Sequence, residues 1–406
     1  MDSIPYGYHW VEEEDAEAVA RVLRGRWITQ GPLIREFEER VAARCGARYA
    51  VAFSSGTAAL HAACFAAGVG PEDEVVTTPM TFVASANAIL YQGGRPVFAD
   101  IHPETLNIDP ARIPEQITSR TKALLPVHFA GLPCRMEEIA HLARARGLAV
   151  IEDASHALGA EWTTAVGGVE KIGSCSHSDL TVFSFHPVKH ITTGEGGMVL
   201  TRREDLRDRL RAFRHHGIVQ RPGEEGETDE PWCFQMEELG YNYRITDFQC
   251  ALGLKQMERL EFFLNRRAEI ARRYRQELAD LGLGWQEDSR PGIRHAWHLC
   301  VVRLPLEQLV KSRKEIYRAL RAEGIGVNVH YLPVPLQPFY RRRFGYRPGQ
   351  FPVAEGYYER ALTLPLFPRM SDGDLERVVT LFRKVLQEGR RPHGALKSEP
   401  QGAALR

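Results

Sequence analysis

The sequence predicts an α/β fold with a mainly parallel sheet, followed by a smaller α+β unit toward the carboxyl end. Three observations predict it. Short apolar runs of strand length alternate with helical patterns from about residue 49 to about 200, and repeated strand–helix units place helices on both faces of a parallel sheet. A helical run from about Thr246 to Leu281 then leaves the sheet, long enough to connect two domains. The 406 residues are 44% hydrophobic and 26% charged, ordinary globular usage with material for a large core.

Residues 1–30 read as an amino-terminal arm and 31–260 as the large domain. Its expected strands are AVAF (50–53), EVVTT (74–78), PVFAD (96–100), KALLPV (122–127), LAVIED (148–153), LTVFSF (180–185) and MVLTR (198–202), with helices at 57–68, 81–92 and 135–147. The small domain, 261–388, takes in AWHLCVVRL (296–304), a helix at 311–323 and VNVHYLP (327–333). Segment 221–231 is a loop rich in Gly, Pro and acid. The tail 389–406, GRRPHGALKSEPQGAALR, has little apolar content and is expected to be disordered.

Charge excludes some functions. Lys plus Arg and Asp plus Glu both total 52, so no net field recruits nucleic acid or an anionic membrane. No apolar run reaches the roughly 20 residues that span a bilayer, and the start MDSIPYGYHWVEEED is polar and acidic rather than a signal peptide. A cytoplasmic protein is expected. Seven cysteines form no CxxC pair, which points to reduced thiols rather than a disulfide frame or a zinc site; no metal is expected.

The chemistry centres on Lys189, in FSFHPVKHITTGEGGM (183–198). Upstream, VAFSSGTAAL (51–60) runs from an apolar strand through small residues and Gly56 into a helix, the arrangement that aims backbone N–H groups at a phosphate. LAVIEDASH (148–156) delivers Asp153 at the carboxyl end of a strand, where ligands of open α/β sheets bind. Together these residues ask for pyridoxal 5'-phosphate held on Lys189 as a Schiff base. A carbon next to the imine becomes acidic only when electrons flow into a protonated ring, and a buried carboxylate such as Asp153 keeps that ring nitrogen protonated. Desolvation and a cationic neighbour free the lysine lone pair, and the released amine can then carry the proton.

Taken singly, each residue has an ordinary reading. A lysine after a strand is usually a surface residue, and SSGTAAL alone could be a plain helix start capped by Ser54 or Ser55. Asp153 or Asn242 could shape a turn, Phe82 could be a core aromatic, and His156 a satisfied buried histidine. The run RRRFGYR (341–347) reads as a solvated loop. The combination carries the inference.

The succession SSGTAAL, TTPMTFVASAN, VIEDASHALGA, FSFHPVKHITTGEGG and GYNYRITDFQCALG resembles the DegT/DnrJ/EryC1/StrS family of sugar-nucleotide aminotransferases, from WITQGPLIREFE (27–38) to the small domain. The resemblance implies fold-type I, the aspartate aminotransferase-like architecture. Within the family, TTPMTFVASANAILYQGGRPVFADI (77–101), HPVKHITTGEGG (186–197) and VHYLPVPLQPFY (329–340) are similar to transaminases of the pseudaminic-acid pathway, which form UDP-4-amino-4,6-dideoxy-N-acetyl-β-L-altrosamine. Carried over by position, the resemblance implies that Lys189 bonds the cofactor, Asp153 holds the pyridine nitrogen and His156 approaches the ring hydroxyl. It gives Gly56, Thr57 and Ser184 to the phosphate, Phe82 to a ring face, and Asn242 to the phosphate of the partner subunit, which makes a homodimer with composite sites. Thr29, Gln30, His330 and Tyr331 match places where the family meets the nucleotide sugar, and Arg244 would meet the diphosphate or a donor carboxylate or brace the dimer. The implied partners are L-glutamate and a nucleotide-linked 4-keto sugar, with no nucleic acid and no membrane. Other 4-keto sugars, of the D-series UDP or the GDP-perosamine type, are the alternative substrates. A 3-dehydratase would carry histidine in place of Lys189, and a non-catalytic regulator would not need Lys189, Asp153 and Ser184 together.

Overall fold

The structure, a computed structural model, describes residues 3–164, 166–219 and 234–390. The loop 221–231, Cys233 and the tail from residue 391 lie outside the described residues. The strands are β1 (Tyr49–Phe53), β2 (Glu74–Thr77), β3 (Arg95–Phe98), β4 (Thr121–Leu125), β5 (Ala149–Asp153), β6 (Glu161–Thr163), β7 (Val169–Lys171), β8 (Leu180–Ser184), β9 (Gly197–Thr201), β10 (Ile218–Val219), β11 (Gln235–Met236), β12 (Gly284–Trp285), β13 (Cys300–Arg303) and β14 (Ala361–Leu364). The helices are α1 (Glu13–Arg24), α2 (Pro32–Cys45), α3 (Gly56–Ala66), α4 (Val83–Tyr91), α5 (Met136–Arg146), α6 (Glu204–Arg214), α7 (Asp247–Glu258), α8 (Leu260–Glu277), α9 (Arg313–Ala322), α10 (Pro338–Phe344), α11 (Pro352–Arg360) and α12 (Asp372–Gln387).

Seven strands form the large sheet in the order β1-β9-β8-β5-β4-β2-β3. β3, β2, β4, β5 and β8 pair in parallel, and β9 runs antiparallel to both β8 and β1, so the sheet is mainly parallel. Strands such as β2 and β9 are buried at every position, as a sheet covered on both faces requires. One apolar cluster holds Phe37, Val41, Leu124, Ile139 and Phe183, and a second, with Val51, Leu60, Ile89 and Leu210, fills the α3, α4 and α6 side. A three-stranded sheet, β12-β13-β14, has its own core with Tyr274, Val302, Leu320, Leu364 and Phe382.

Two expectations change, those for the run 246–281 and for the start of the tail. The run 246–281 is two helices, because the chain breaks at Arg259 (φ −103°, ψ 3°) between α7 and α8; Arg259 there pairs with Glu12 and the buried Asp15 of α1. Segment 327–333 forms no strand and meets β14 through an Asn328–Thr363 bridge and a His330 Nδ1–Thr363 Oγ1 contact of 2.8 Å. Gly389 and Arg390, expected in the tail, are tied down: the Val310 N–H donates to the Gly389 carbonyl at 2.7 Å, and Arg390 bridges Leu309. At the other end, Ile4 is buried and bridges Ile325, and the Leu366 N–H donates to the Tyr6 carbonyl at 3.0 Å.

Candidate active site

Five turns meet at the carboxyl edge of the parallel strands. β1 runs through Ser55, whose hydroxyl accepts the Ala58 N–H at 3.1 Å and caps α3. Gly56 and Thr57 in the first turn line the cavity described below. A Cβ on Gly56 would lie 2.8 Å from that of Ser184, the last residue of β8. A Cβ on Gly197, where β9 begins, would lie 2.4 Å from the Ser55 carbonyl. Only glycine lets these backbones approach, and their approach shapes an anion cradle between α3 and β8. After β8 the chain turns tightly, with Lys189 N–H donating to the His186 carbonyl at 2.9 Å, and closes on itself where Thr193 N–H and the Thr192 hydroxyl both reach the Phe185 carbonyl.

Asp153 ends β5 and is 4% exposed. One carboxylate oxygen accepts the Ser85 hydroxyl of α4 at 2.7 Å and the other the Ser155 N–H at 3.0 Å. Ser85 in turn contacts Thr81 at 2.7 Å. The carboxylate is therefore oriented by neutral donors.

Gly56, Thr57, Phe82, Asp153, His156, Ser184, Lys189, His330 and Tyr331 line one cavity of about 580 Å³. The other predicted residues are not brought there within one chain. Gln30 and Arg244 line a separate cleft of about 920 Å³, Arg244 contacting His215 at 2.7 Å. Thr29 bridges Thr246. Asn242 bridges His215 and is exposed. Conversely, Tyr6, Ser85 and His298 line the cavity without a signal in the sequence: Ser85 is one small residue on an apolar helix, and His298 lies in a segment whose apolar pattern says only strand.

Electrostatics in the cavity shift the lysine amine toward its uncharged form. Burial lowers Lys189 from 10.5 to about 8, with Asp153 opposing and the Arg267 guanidinium adding to the fall. Burial also holds His156, His190 and His298 well below 6.5, and His330 at about 3, each repelled in addition by Lys189. All four imidazoles are neutral at neutral pH. His298 Nε2 lies 3.4 Å from Lys189 Nζ, the rings of His298 and His156 are 4.3 Å apart, and Tyr331 Oη is 3.5 Å from His156 Nε2. Desolvation raises the Tyr331 phenol, which keeps its proton. The arrangement offers an amine with an available lone pair, an oriented carboxylate and a cradle for an anion. Those three features fit the aldehyde, the ring nitrogen and the phosphate of pyridoxal phosphate.

Residues 10–383 match the DegT/DnrJ/EryC1/StrS aminotransferase family. The spore coat polysaccharide biosynthesis protein SpsC of Bacillus subtilis is 40% identical over 388 residues, covering 95% of this chain and 97% of that protein. Among solved structures, Helicobacter pylori PseC, an aminotransferase involved in pseudaminic acid biosynthesis, superposes with a TM-score of 0.84 at 28% identity, over 95% of this chain and 100% of that one. The sugar aminotransferase Spr1654 of Streptococcus pneumoniae, solved in a PMP form, gives 0.87 at 28% identity over 95% and 99%, and it is also solved in a PLP form. With matches running across both sheets and the lysine cavity, the chain belongs to the DegT/DnrJ/EryC1/StrS aminotransferase family and is a pyridoxal-phosphate-dependent sugar aminotransferase.

Proposed function

We propose that the enzyme moves an amino group from L-glutamate to C4 of a UDP-linked 4-keto-6-deoxy-N-acetyl hexosamine, giving UDP-4-amino-4,6-dideoxy-N-acetyl-β-L-altrosamine for pseudaminic acid. The supporting observation is the cavity that holds Lys189, Asp153 and the Gly56–Thr57 turn together, joined to the likeness to PseC. Bound pyridoxal phosphate supplies an electron sink that makes the carbon beside the transferred nitrogen acidic. The chain does the rest. The N–H groups of Gly56 and Thr57 and the Ser184 hydroxyl hold the phosphate, Asp153 keeps a proton on the ring nitrogen, Phe82 covers a ring face and His156 faces the ring hydroxyl. Lys189 Nζ would bear the cofactor and, as a free amine, would take and return the proton at the reacting carbon. Thr29, Gln30, Arg244, His330 and Tyr331 are assigned to the sugar nucleotide.

A homodimer completes the site in this reading, with Asn242 of each subunit reaching the other's phosphate. Support comes from exposed apolar side chains on the surface that carries Asn242: Tyr91 is 54%, Met236 63% and Leu239 75% exposed, and monomers rarely leave such a patch uncovered. The six described cysteines, all free and buried, favour a reducing, cytoplasmic setting. No described helix is long and apolar enough to cross a membrane. We set the domain boundary near residue 260: the first turn of α8 (Leu260, Phe263, Leu264) packs in the large-sheet core, and Ile270 onward in the small one.

The 40% identity to SpsC favours a second reading, amination of another nucleotide 4-keto sugar. Assaying the enzyme with glutamate and a panel of such sugars, with product configuration at C4 read by NMR, decides. Turnover confined to the UDP L-altro substrate supports the first reading, and preference for a D-series or GDP sugar replaces it with the second.

A further inference from the structure

Arg267 of α8 is 1% exposed, and among the described residues its hydrogen-bond partners are main-chain carbonyls with no carboxylate among them. Nη1 donates to Trp297 O at 3.3 Å, His298 O at 3.3 Å and Leu366 O at 3.1 Å, while Nη2 reaches Val188 O at 3.4 Å and Lys189 O at 3.5 Å. Its Nε has no partner. A buried cation without an anion is costly, and a methionine would fill the same space without that cost. The guanidinium fork must therefore supply something apolar packing cannot. It touches both segments that meet at the catalytic amine: Val188–Lys189 from the large sheet and Trp297–His298 leading into β13.

We infer that Arg267 is a positioning residue for Lys189: its fork ties the main chain of Val188 and Lys189 to that of Trp297 and His298, which sets the Lys189 amine beside the His298 imidazole. The inference rests on Lys189 being the cofactor-bearing residue. The groups facing that amine are Asp153 and His156 beyond β5, His190 on its own loop, His298, His330 and Arg267. Four are neutral imidazoles and one is a carboxylate that favours the protonated amine. Arg267 is the cation that opposes it, so the same side chain that fixes the amine in place also eases its deprotonation, adding to the larger effect of burial. His298 Nε2 stands within hydrogen-bond reach of the amine, at 3.4 Å.

Competitive acetylation of the apoprotein with acetic anhydride across a pH series, with Lys189 followed by mass spectrometry, tests this without turnover. Wild-type reactivity should have its midpoint near 8. Arg267→Met should raise the midpoint by roughly one pH unit, and a folded Arg267→Met protein with an unshifted midpoint overturns the inference. Arg267→Lys keeps the charge but not the fork. Its midpoint should stay near wild type while kcat drops about tenfold with little change in KM for glutamate, and wild-type kcat in this variant overturns the positioning role even if Arg267→Met does not fold. Borohydride fixation of the cofactor on another lysine would refute the role of Lys189, whereas the acetylation midpoints would still report whether Arg267 acts on it.

Discussion

At the scale of single residues, Lys189 and Asp153 have separable duties that mutants should split. Lys189→Ala should abolish turnover while the Gly56–Thr57 cradle still retains cofactor. Borohydride would then fix none of it to the protein, and multiple turnover in this variant contradicts the assignment. Because burial brings the amine to about 8 rather than 10.5, the neutral, nucleophilic form is half populated near 8 and almost complete about one pH unit above it. The rate of cofactor uptake by apoenzyme should level off there, and a rate still climbing toward 10.5 would contradict the desolvated site. Asp153→Asn should cost roughly 10²-fold or more in kcat with an almost unchanged melting temperature, since an amide can still accept from the Ser155 N–H and donate to Ser85. Both residues were legible in the sequence because strand-end position and turn chemistry mark them. Ser85, His298 and Arg267 were not, because each acts through a partner more than 65 positions away or through carbonyls that carry no sequence signal.

At the scale of elements, the end of the sheet that carries Asp153 is stitched underneath. His128, just past β4, holds Glu152 of β5 at 2.8 Å, and Glu152 also accepts the Thr181 hydroxyl of β8 at 2.9 Å and that of Ser178. Burial alone would lower His128, yet Cys134 and Glu152 raise it to about 10; burial would raise Glu152, yet His128 and the two hydroxyls lower it. The histidine contribution is complete below its ordinary 6.5 and fades as pH rises toward 10, whereas the glutamate contribution is complete above 4.5 and fades in acid. His128→Ala should therefore destabilise by roughly 3–5 kcal/mol, with the melting-temperature gap to wild type widest between 4.5 and 6.5. A gap independent of pH would show that the pair is not ionised. The strands of this sheet were visible as apolar runs to within a residue or two. The break at Arg259 was not: no Gly or Pro marks it, and the ion pairs Arg259 makes there reach Glu12 and Asp15 nearly 250 positions earlier.

For the whole molecule, four of the predicted site residues lie outside the lysine cavity of their own chain, and no reading of one chain's spacing could place them. In the proposed dimer, Asn242 would reach the phosphate site of the second copy. Mixing Lys189→Ala and Asn242→Ala proteins should thus restore part of the activity in heterodimers, up to about one wild-type site in each if the two lesions segregate. Heterodimers verified by native mass spectrometry that stay inactive would remove the shared site.

The amino-terminal strap adds a vulnerability. Ile4 is clasped by the Gly324 carbonyl at 2.9 Å and the Gly326 N–H at 2.6 Å, and a few residues on, Tyr6 stands against His330 with ring centres 5.5 Å apart and lines the lysine cavity. A protease that clips the chain after Tyr8 would strip a wall from the reaction chamber while leaving both sheets whole, so partial digestion could silence the enzyme before it unfolds it.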